Sequence, residues 1–212
     1  TLHQLLTHQG GFPSATVPDE VWTDHELLRD AVCDFTLEWT PGSKVQYHGG
    51  SAHWVGAALI EAATGRDYRD VVRDDLLAPA GLHGDIFVGV PSSVQERCAD
   101  MHTREQDQDD RMVSTDNNTP EFRAAGVPGG GGYATAPGMA AFYQMLLAEG
   151  AVNGNRVLSP RVIQFATRNH TDERVDDNMG MPMHRGLGPH VRGTTPTIRG
   201  LGTIASPGTF GH

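Results

Sequence analysis

The 212-residue chain has few of the residues on which several protein classes depend. It contains two cysteines, Cys33 and Cys98, and neither belongs to a C-x-x-C pair, so the sequence predicts no disulfide framework. Acidic residues outnumber lysines and arginines by 26 to 16, which gives a formal net charge of −10 at pH 7. No apolar run approaches the roughly 18 residues of a membrane-spanning helix. We therefore expect no membrane-spanning segment and no nucleic-acid or anionic-membrane partner.

Motifs for metals and nucleotides are also missing. No histidine belongs to an H-E-x-x-H pair, and the acidic cluster within 105–110 lacks the spacing of a calcium loop. The glycine run at 129–132 fits neither G-x-G-x-x-G nor the Walker pattern, which favours a tight turn over a phosphate cradle. The sequence thus predicts no metal and no cofactor.

The most informative stretch, residues 41–65, places a tyrosine just before a glycine pair and an amphipathic helix. Ser51 is expected to cap this helix and Gly65 to end it. Its predicted inner face consists of apolar residues at helical spacing, namely Val55, Ala58, Leu59 and Ala62. Tyr47 is therefore expected at a loop-to-helix junction, outside the buried stripe. From the residues alone, Tyr47 is either a packing residue whose hydroxyl has a hydrogen-bond partner or a residue of a functional site.

Other capping signals predict four more helices. They begin at a capping box of Thr23 with Glu26, at Asp67, at Thr135 and at Ser159. Beyond Arg174, frequent glycines separate short runs that are typical of strands and turns. The order of helices first and strands afterwards predicts an α+β fold.

The stretch at 41–65 resembles the second signature of the penicillin-recognising serine hydrolases. This family includes class C β-lactamases, D-alanyl-D-alanine carboxypeptidases and family VIII carboxylesterases. Its pattern is Y-x-N, then a helix with L-G and I-E, then a glycine before an aromatic residue. The matching residues here are Tyr47, Val55-Gly56, Ile60-Glu61, Gly65 and Tyr68.

Four further segments follow the order of that family. Residues 5–11 resemble its L-L-T-H-x-S-G, and residues 77–82 resemble its P-L-G-M turn. Residues 130–135 are similar to its G-G-x-x-S-T loop, and residues 208–212 to the approach to its third signature. The resemblance implies a β-lactamase/transpeptidase-like fold, with most of the helical subdomain in residues 1–173 and the start of the antiparallel sheet in 174–212.

The first signature of the family, S-x-x-K, is absent from these residues. Its serine attacks the acyl group while its lysine helps to take the proton. Lys44 is the only lysine, and the residue three positions before it is Pro41. A G-x-S-x-G motif is absent as well. We expect an internal fragment of a longer hydrolase, catalytically silent alone; the other interpretation is a pseudoenzyme that lost its nucleophile.

The resemblance implies roles for five residues. Tyr47 would be the acid/base, a role that needs neighbouring cations or hydrogen bonds because a free phenol has a pKa near 10. His212 would hold the lysine place of the third signature, where esterases often carry histidine. Gly130 and Gly131 would line the substrate site. Gly49 stands where the family has asparagine, which favours esters over amides as substrates.

The implied function is hydrolysis of small acyl esters through an acyl-enzyme. Within the same chemistry, a D-alanyl peptidase, a β-lactamase and an acyltransferase remain open. From a different class, a non-catalytic ligand-binding or peptidoglycan-sensing module on the same scaffold also remains open.

Overall fold

The computed structural model describes residues 1–104, 112–195, 201–202 and 204–211. The acidic cluster within 105–110 and His212 lie outside the described residues. The described α-helices are α1 Leu2–Leu6, α2 His25–Cys33, α3 Ser51–Thr64, α4 Tyr68–Val71, α5 Pro120–Ala125, α6 Ala136–Leu147 and α7 Pro160–Ala166. None of these helices has both the length and the apolar character needed to cross a membrane.

The strands are short and form antiparallel pairs. The pairs are β1 Ile86–Val88 with β4 Gly132–Ala134, β2 His102–Arg104 with β3 Met112–Ser114, β5 Ala151–Val152 with β6 Asn155–Arg156, β7 Val175–Asp176 with β8 Met181–Pro182, and β9 His190–Val191 with β10 Phe210–Gly211. Helices dominate the first part of the chain and short strands the last, which confirms the predicted α+β class.

Three of the predicted helix starts are confirmed by their hydrogen bonds. The side chains of Asp67, Thr135 and Ser159 each accept a backbone N–H from two or three residues further along. Each of these residues is the N-cap of its helix, which satisfies a donor that the helix itself leaves unpaired.

Two predicted caps are wrong. Helix α2 is capped by Asp24, whose carboxylate accepts the N–H of Leu27, and not by Thr23. Helix α3 has Gly50 as its N-cap, while Ser51 is already helical and donates its hydroxyl to the carbonyl of Pro13 at 2.6 Å. In both places a second polar or flexible residue stands beside the predicted cap, so the sequence does not fix the register.

The buried face of α3 is also shifted from the prediction. Trp54 is fully buried, and its indole N–H donates to Thr16 Oγ1 at 3.2 Å. It packs with α2 in a core cluster of Val17, Leu28, Val32, Trp54 and Ala58. Leu59 and Ala62, which were predicted to face inward, are exposed. The large indole, which the apolar spacing omitted, sets the rotation of the helix because it buries the most area.

The segment that precedes α3 is tied to β7. Val45 forms a parallel bridge with Asp176, and its carbonyl accepts the N–H of Asp177 at 2.9 Å. This contact crosses the boundary predicted between residues 173 and 174. It places the region of Tyr47 where the helical part of the chain meets the strands.

Candidate active site

Tyr47 lies at the predicted loop-to-helix junction and is half-buried. Its ring centroid is 4.7 Å from that of His8 and 6.4 Å from that of His53. The guanidinium carbon of Arg185 lies 5.1 Å from the centre of the Tyr47 ring. The phenol is therefore surrounded by two imidazoles and a guanidinium.

A buried ion pair contacts this tyrosine. The side chains of Asp176 and Arg185 are 0% and 1% exposed. Asp176 Oδ2 accepts from Arg185 Nη2 at 2.5 Å and from Nε at 3.2 Å, while Oδ1 accepts the backbone N–H of Tyr47 at 3.4 Å. A buried charge requires such partners, since an unpaired one is costly to desolvate.

His8 is a neutral hydrogen-bonding side chain in this site. Its Nδ1 accepts the backbone N–H of His48 at 3.2 Å. Burial, reinforced by the charge of Arg185, lowers the pKa of His8 to about 2. Because a neutral imidazole carries one proton and Nδ1 is an acceptor here, the proton of His8 resides on Nε2.

His48 is a second buried imidazole. Its ring stacks on that of Trp39, with centroids 5.1 Å apart. Burial lowers its pKa to about 4, against the opposing effect of Glu38 and Asp176. Its Nε2 has no hydrogen-bond partner within the described part of the chain.

These two histidines predict that the fold loses stability in mild acid. Their folded pKa values lie below the unfolded value of 6.5, so the unfolded chain binds protons first as the pH falls. The stabilisation is complete above pH 6.5 and declines below it, by about 1.4 kcal/mol per pH unit for each group. Urea unfolding at pH 7 and pH 5 should therefore show a loss of up to about 4 kcal/mol from the pair.

His48→Phe is the matched control for this prediction. It keeps a ring against Trp39 and removes the group that titrates, while the backbone N–H that His8 accepts remains. The slope of the unfolding free energy against pH reports the number of protons taken up on unfolding. We expect this number, between pH 5 and 6.5, to fall by about one. An unchanged slope in this variant would contradict the assignment to His48.

Gly49 is exposed and adjacent to Tyr47. A Cβ built at this position would have the Tyr47 ring as its nearest neighbour, at an ordinary contact distance of 3.6 Å. The backbone therefore leaves room for the Cβ of a side chain such as the asparagine of the family pattern. Glycine at this position lacks the hydrogen-bonding amide of that asparagine.

The glycine run forms the predicted tight turn. The N–H groups of Gly130 and Gly131 donate to the carbonyl of Val127 at 3.1 and 2.7 Å. A Cβ on Gly131 would lie 2.4 Å from the nitrogen of Val127, and one on Gly129 would lie 2.9 Å from the ring of His53. The turn thus packs against His53, which connects it to the surroundings of Tyr47, whereas Gly130 faces open space. The role of this turn in substrate binding stays a prediction.

A cleft of about 470 Å³ lies beside this glycine turn. Its lining includes Phe87, Cys98, Met101, Gly130 and Tyr133. Tyr47 is not part of the lining. We therefore place the candidate chemistry at Tyr47, where the polar groups converge, and not in this cleft.

Lys44 is committed to structural contacts. Its Nζ lies 3.0 Å from Asp177 Oδ2, donates to Gln46 Oε1 at 3.1 Å and stands 4.2 Å from the centre of the Trp39 ring. With these partners and no serine three positions before it, Lys44 does not form an S-x-x-K pair.

One group of possible metal ligands occurs among the described residues. Ligand atoms of His25, Glu61 and Asp67 lie within 4.8 Å of one another. Arg69, however, donates to both oxygens of Asp67 at 2.8 and 2.6 Å, and His25 Nδ1 lies 2.8 Å from Glu61. Both oxygens of the Asp67 carboxylate are therefore already paired with Arg69.

Sequence reasoning missed the groups around Tyr47. His8 belongs to the segment 5–11 that resembles a family motif, but that resemblance indicated no contact with Tyr47. Asp176 and Arg185 carried no signal, because their contacts with Tyr47 join segments far apart in sequence, 129 residues apart in the case of Asp176. His212, to which the resemblance gave a site role, lies outside the described residues.

The chain is similar to several known proteins. The sequence model of the Beta-lactamase family matches residues 1–212. Protein Rv1367c of Mycobacterium tuberculosis is 32% identical over 198 residues, covering 85% of this chain and 47% of its own length. Esterase/beta-lactamase LipL of the same organism is 23% identical, covering 100% of this chain and 55% of its own length.

The fold has a solved counterpart. The crystal structure of a family VIII carboxylesterase superimposes with a TM-score of 0.82 and 25% identity, over 100% of this chain and 58% of that chain. The chain spans about half the length of the curated relatives described above.

Proposed function

Because this chain belongs to the Beta-lactamase family, we propose that it supplies the acid/base part of a serine-hydrolase active site whose nucleophilic serine lies outside these 212 residues. The substrate class that we propose is small acyl esters. No cofactor is required for this chemistry. The observation that carries the proposal is the position of Tyr47, half-buried among His8, His53 and Arg185.

The proposed reaction follows from the chemistry of a phenol beside an alcohol nucleophile. The serine Oγ attacks the acyl carbonyl as Tyr47 takes its proton, and the tetrahedral intermediate collapses when Tyr47 returns that proton to the leaving alcohol. A water molecule then repeats the sequence on the acyl-enzyme and releases the acid. The surroundings of Tyr47 support this role because a guanidinium and a neutral imidazole lie next to its ring.

Fragment activity provides the first test. The 212-residue chain alone should not hydrolyse a short p-nitrophenyl ester above the buffer rate, because it contains no S-x-x-K pair. The matched comparison is the longer protein that includes the proposed serine, which should hydrolyse the same ester. A burst by the isolated chain that a serine-directed inhibitor abolishes would contradict the proposal.

Gly49 supports the preference for esters and allows a second test. In the longer protein, Gly49→Asn should raise kcat/KM for a β-lactam relative to an ester by about fivefold, since one added amide hydrogen bond is worth about 1 kcal/mol. Gly49→Ala is the control, because it adds the Cβ that fits beside Tyr47 without the amide. Equal effects of the two substitutions would contradict a hydrogen-bonding role for this position.

A non-catalytic ligand-binding or peptidoglycan-sensing module is the second candidate. The observation that favours it is the lack of S-x-x-K within these residues. The sequence of the longer protein discriminates the two: S-x-x-K upstream and glycines after His212 favour the enzyme, and substitution of either favours the binding module.

A further inference from the structure

We infer that the buried Asp176–Arg185 pair holds Tyr47 in position, and that the positive charge of Arg185 favours the phenolate form of Tyr47. This inference rests on the proposed function, since it assigns a role in the same reaction. Neither residue belongs to a motif of the sequence, and both act through Tyr47 and not on the substrate.

The backbone at Tyr47 is fixed by its contacts with β7. The Val45 bridge to Asp176 holds the chain two residues before Tyr47, and Asp176 Oδ1 accepts the N–H of Tyr47 itself. The same oxygen accepts the N–H of Asn178 at 3.0 Å, which fixes the turn after β7. One carboxylate therefore joins the tyrosine segment to the strand region.

The other oxygen of Asp176 fixes the arginine. Oδ2 accepts from both Nε and Nη2 of Arg185, so the planar guanidinium has one orientation. The backbone of Arg185 is held as well, because its N–H donates to Thr171 Oγ1 at 2.9 Å and its carbonyl accepts the N–H of His170 at 2.8 Å. The cation that faces the Tyr47 ring is thus preorganised.

A guanidinium at this distance attracts an aromatic ring. By Coulomb's law the attraction increases when the ring carries the negative charge of a phenolate, which is the form of Tyr47 that accepts a proton. His8, on the other side of the ring, is neutral because burial keeps its pKa near 2, so it does not compete as a cation. Arg185 is therefore a fixed cation beside the Tyr47 ring.

Stability alone does not explain a buried ion pair, because apolar residues of similar volume are often as stabilising. The Asp67–Arg69 pair serves as a control for the Asp176–Arg185 pair. Arg69 is 13% exposed, is held by both oxygens of Asp67 and donates to the carbonyls of Trp22 and Ala125. It resembles Arg185 in burial and pairing, and it has no described contact with Tyr47.

The test compares kcat and KM of the longer protein for a p-nitrophenyl ester across pH. Arg185→Met should lower kcat by about 10- to 100-fold with KM changed less than about threefold, and should displace the pH profile of kcat. Arg185→Lys, which keeps the charge, should recover part of the loss. Arg69→Met should lower the unfolding midpoint without changing kcat per folded molecule.

A double-variant cycle separates positioning from a general structural effect. If Arg185 acts through Tyr47, Arg185→Met should have little further effect on kcat in a Tyr47→Phe background. Full additivity, or a kcat for Arg185→Met equal to that of Arg69→Met, would overturn the inference. The proposed function fails separately, if Tyr47→Phe itself retains the parent kcat.

Discussion

Tyr47→Phe in the protein that contains the proposed serine is expected to lower kcat by at least about 100-fold, the scale of losing a general acid/base. Phenylalanine preserves the ring that packs against His8 and Arg185 and removes only the hydroxyl. We therefore expect normal folding and a KM close to that of the parent. Steady-state hydrolysis of a p-nitrophenyl ester measures kcat and KM, and circular dichroism checks the folding.

The control for this prediction is a second tyrosine with a different environment. Tyr68 is buried, and its hydroxyl donates to the carbonyls of Ala125 and Gly126 at 3.1 and 3.0 Å. Tyr68→Phe should cost stability, since it leaves those carbonyls without this donor, but kcat should remain at the parent value. If Tyr47→Phe behaves like Tyr68→Phe, Tyr47 has no part in the chemistry.

Removal of the Asp176 carboxylate is expected to produce the largest loss of stability. Asp176→Leu leaves the guanidinium of Arg185, 1% exposed, without its ion-pair partner, and breaking a buried pair in this way typically costs about 3 to 5 kcal/mol. It also removes the acceptor of the N–H groups of Tyr47 and Asn178. Urea unfolding at pH 7 should show the decrease in the free energy of unfolding.

Two further variants make this prediction specific. Asp176→Leu combined with Arg185→Met should recover much of the lost stability, because no unpaired charge remains. Asp30→Asn, which breaks the exposed pair with Arg29, should leave stability nearly unchanged. A similar small effect for Asp176→Leu would contradict the account of the buried pair.

Local features of the fold could be predicted from sequence, because they depend on neighbouring residues. Asp67, Thr135 and Ser159 cap helices as expected, and Gly65 ends α3 in the left-handed conformation. The junction that carries Tyr47 was predicted for the same reason. The rotation of α3 was not, since it depends on where the indole of Trp54 finds space between α2 and the loop before it.

The surroundings of the candidate site could not be predicted in this way. Asp176 reaches Tyr47 only because a parallel bridge with Val45 brings together segments that are distant in sequence. His8 faces the tyrosine from a backbone with a positive φ of 55°, which no residue pattern indicated. The family motif located the phenol, and the tertiary contacts determine the charges around it.

Trapping the acyl-enzyme tests the central claim most directly. The longer protein would be mixed with a p-nitrophenyl ester, quenched in acid during the burst, and its adduct located by peptide mass spectrometry. The account predicts one acyl group on a serine outside residues 1–212, in much lower yield at the same quench time when Tyr47 is phenylalanine. An acyl group on a residue within this chain, or hydrolysis with no covalent adduct, would contradict it.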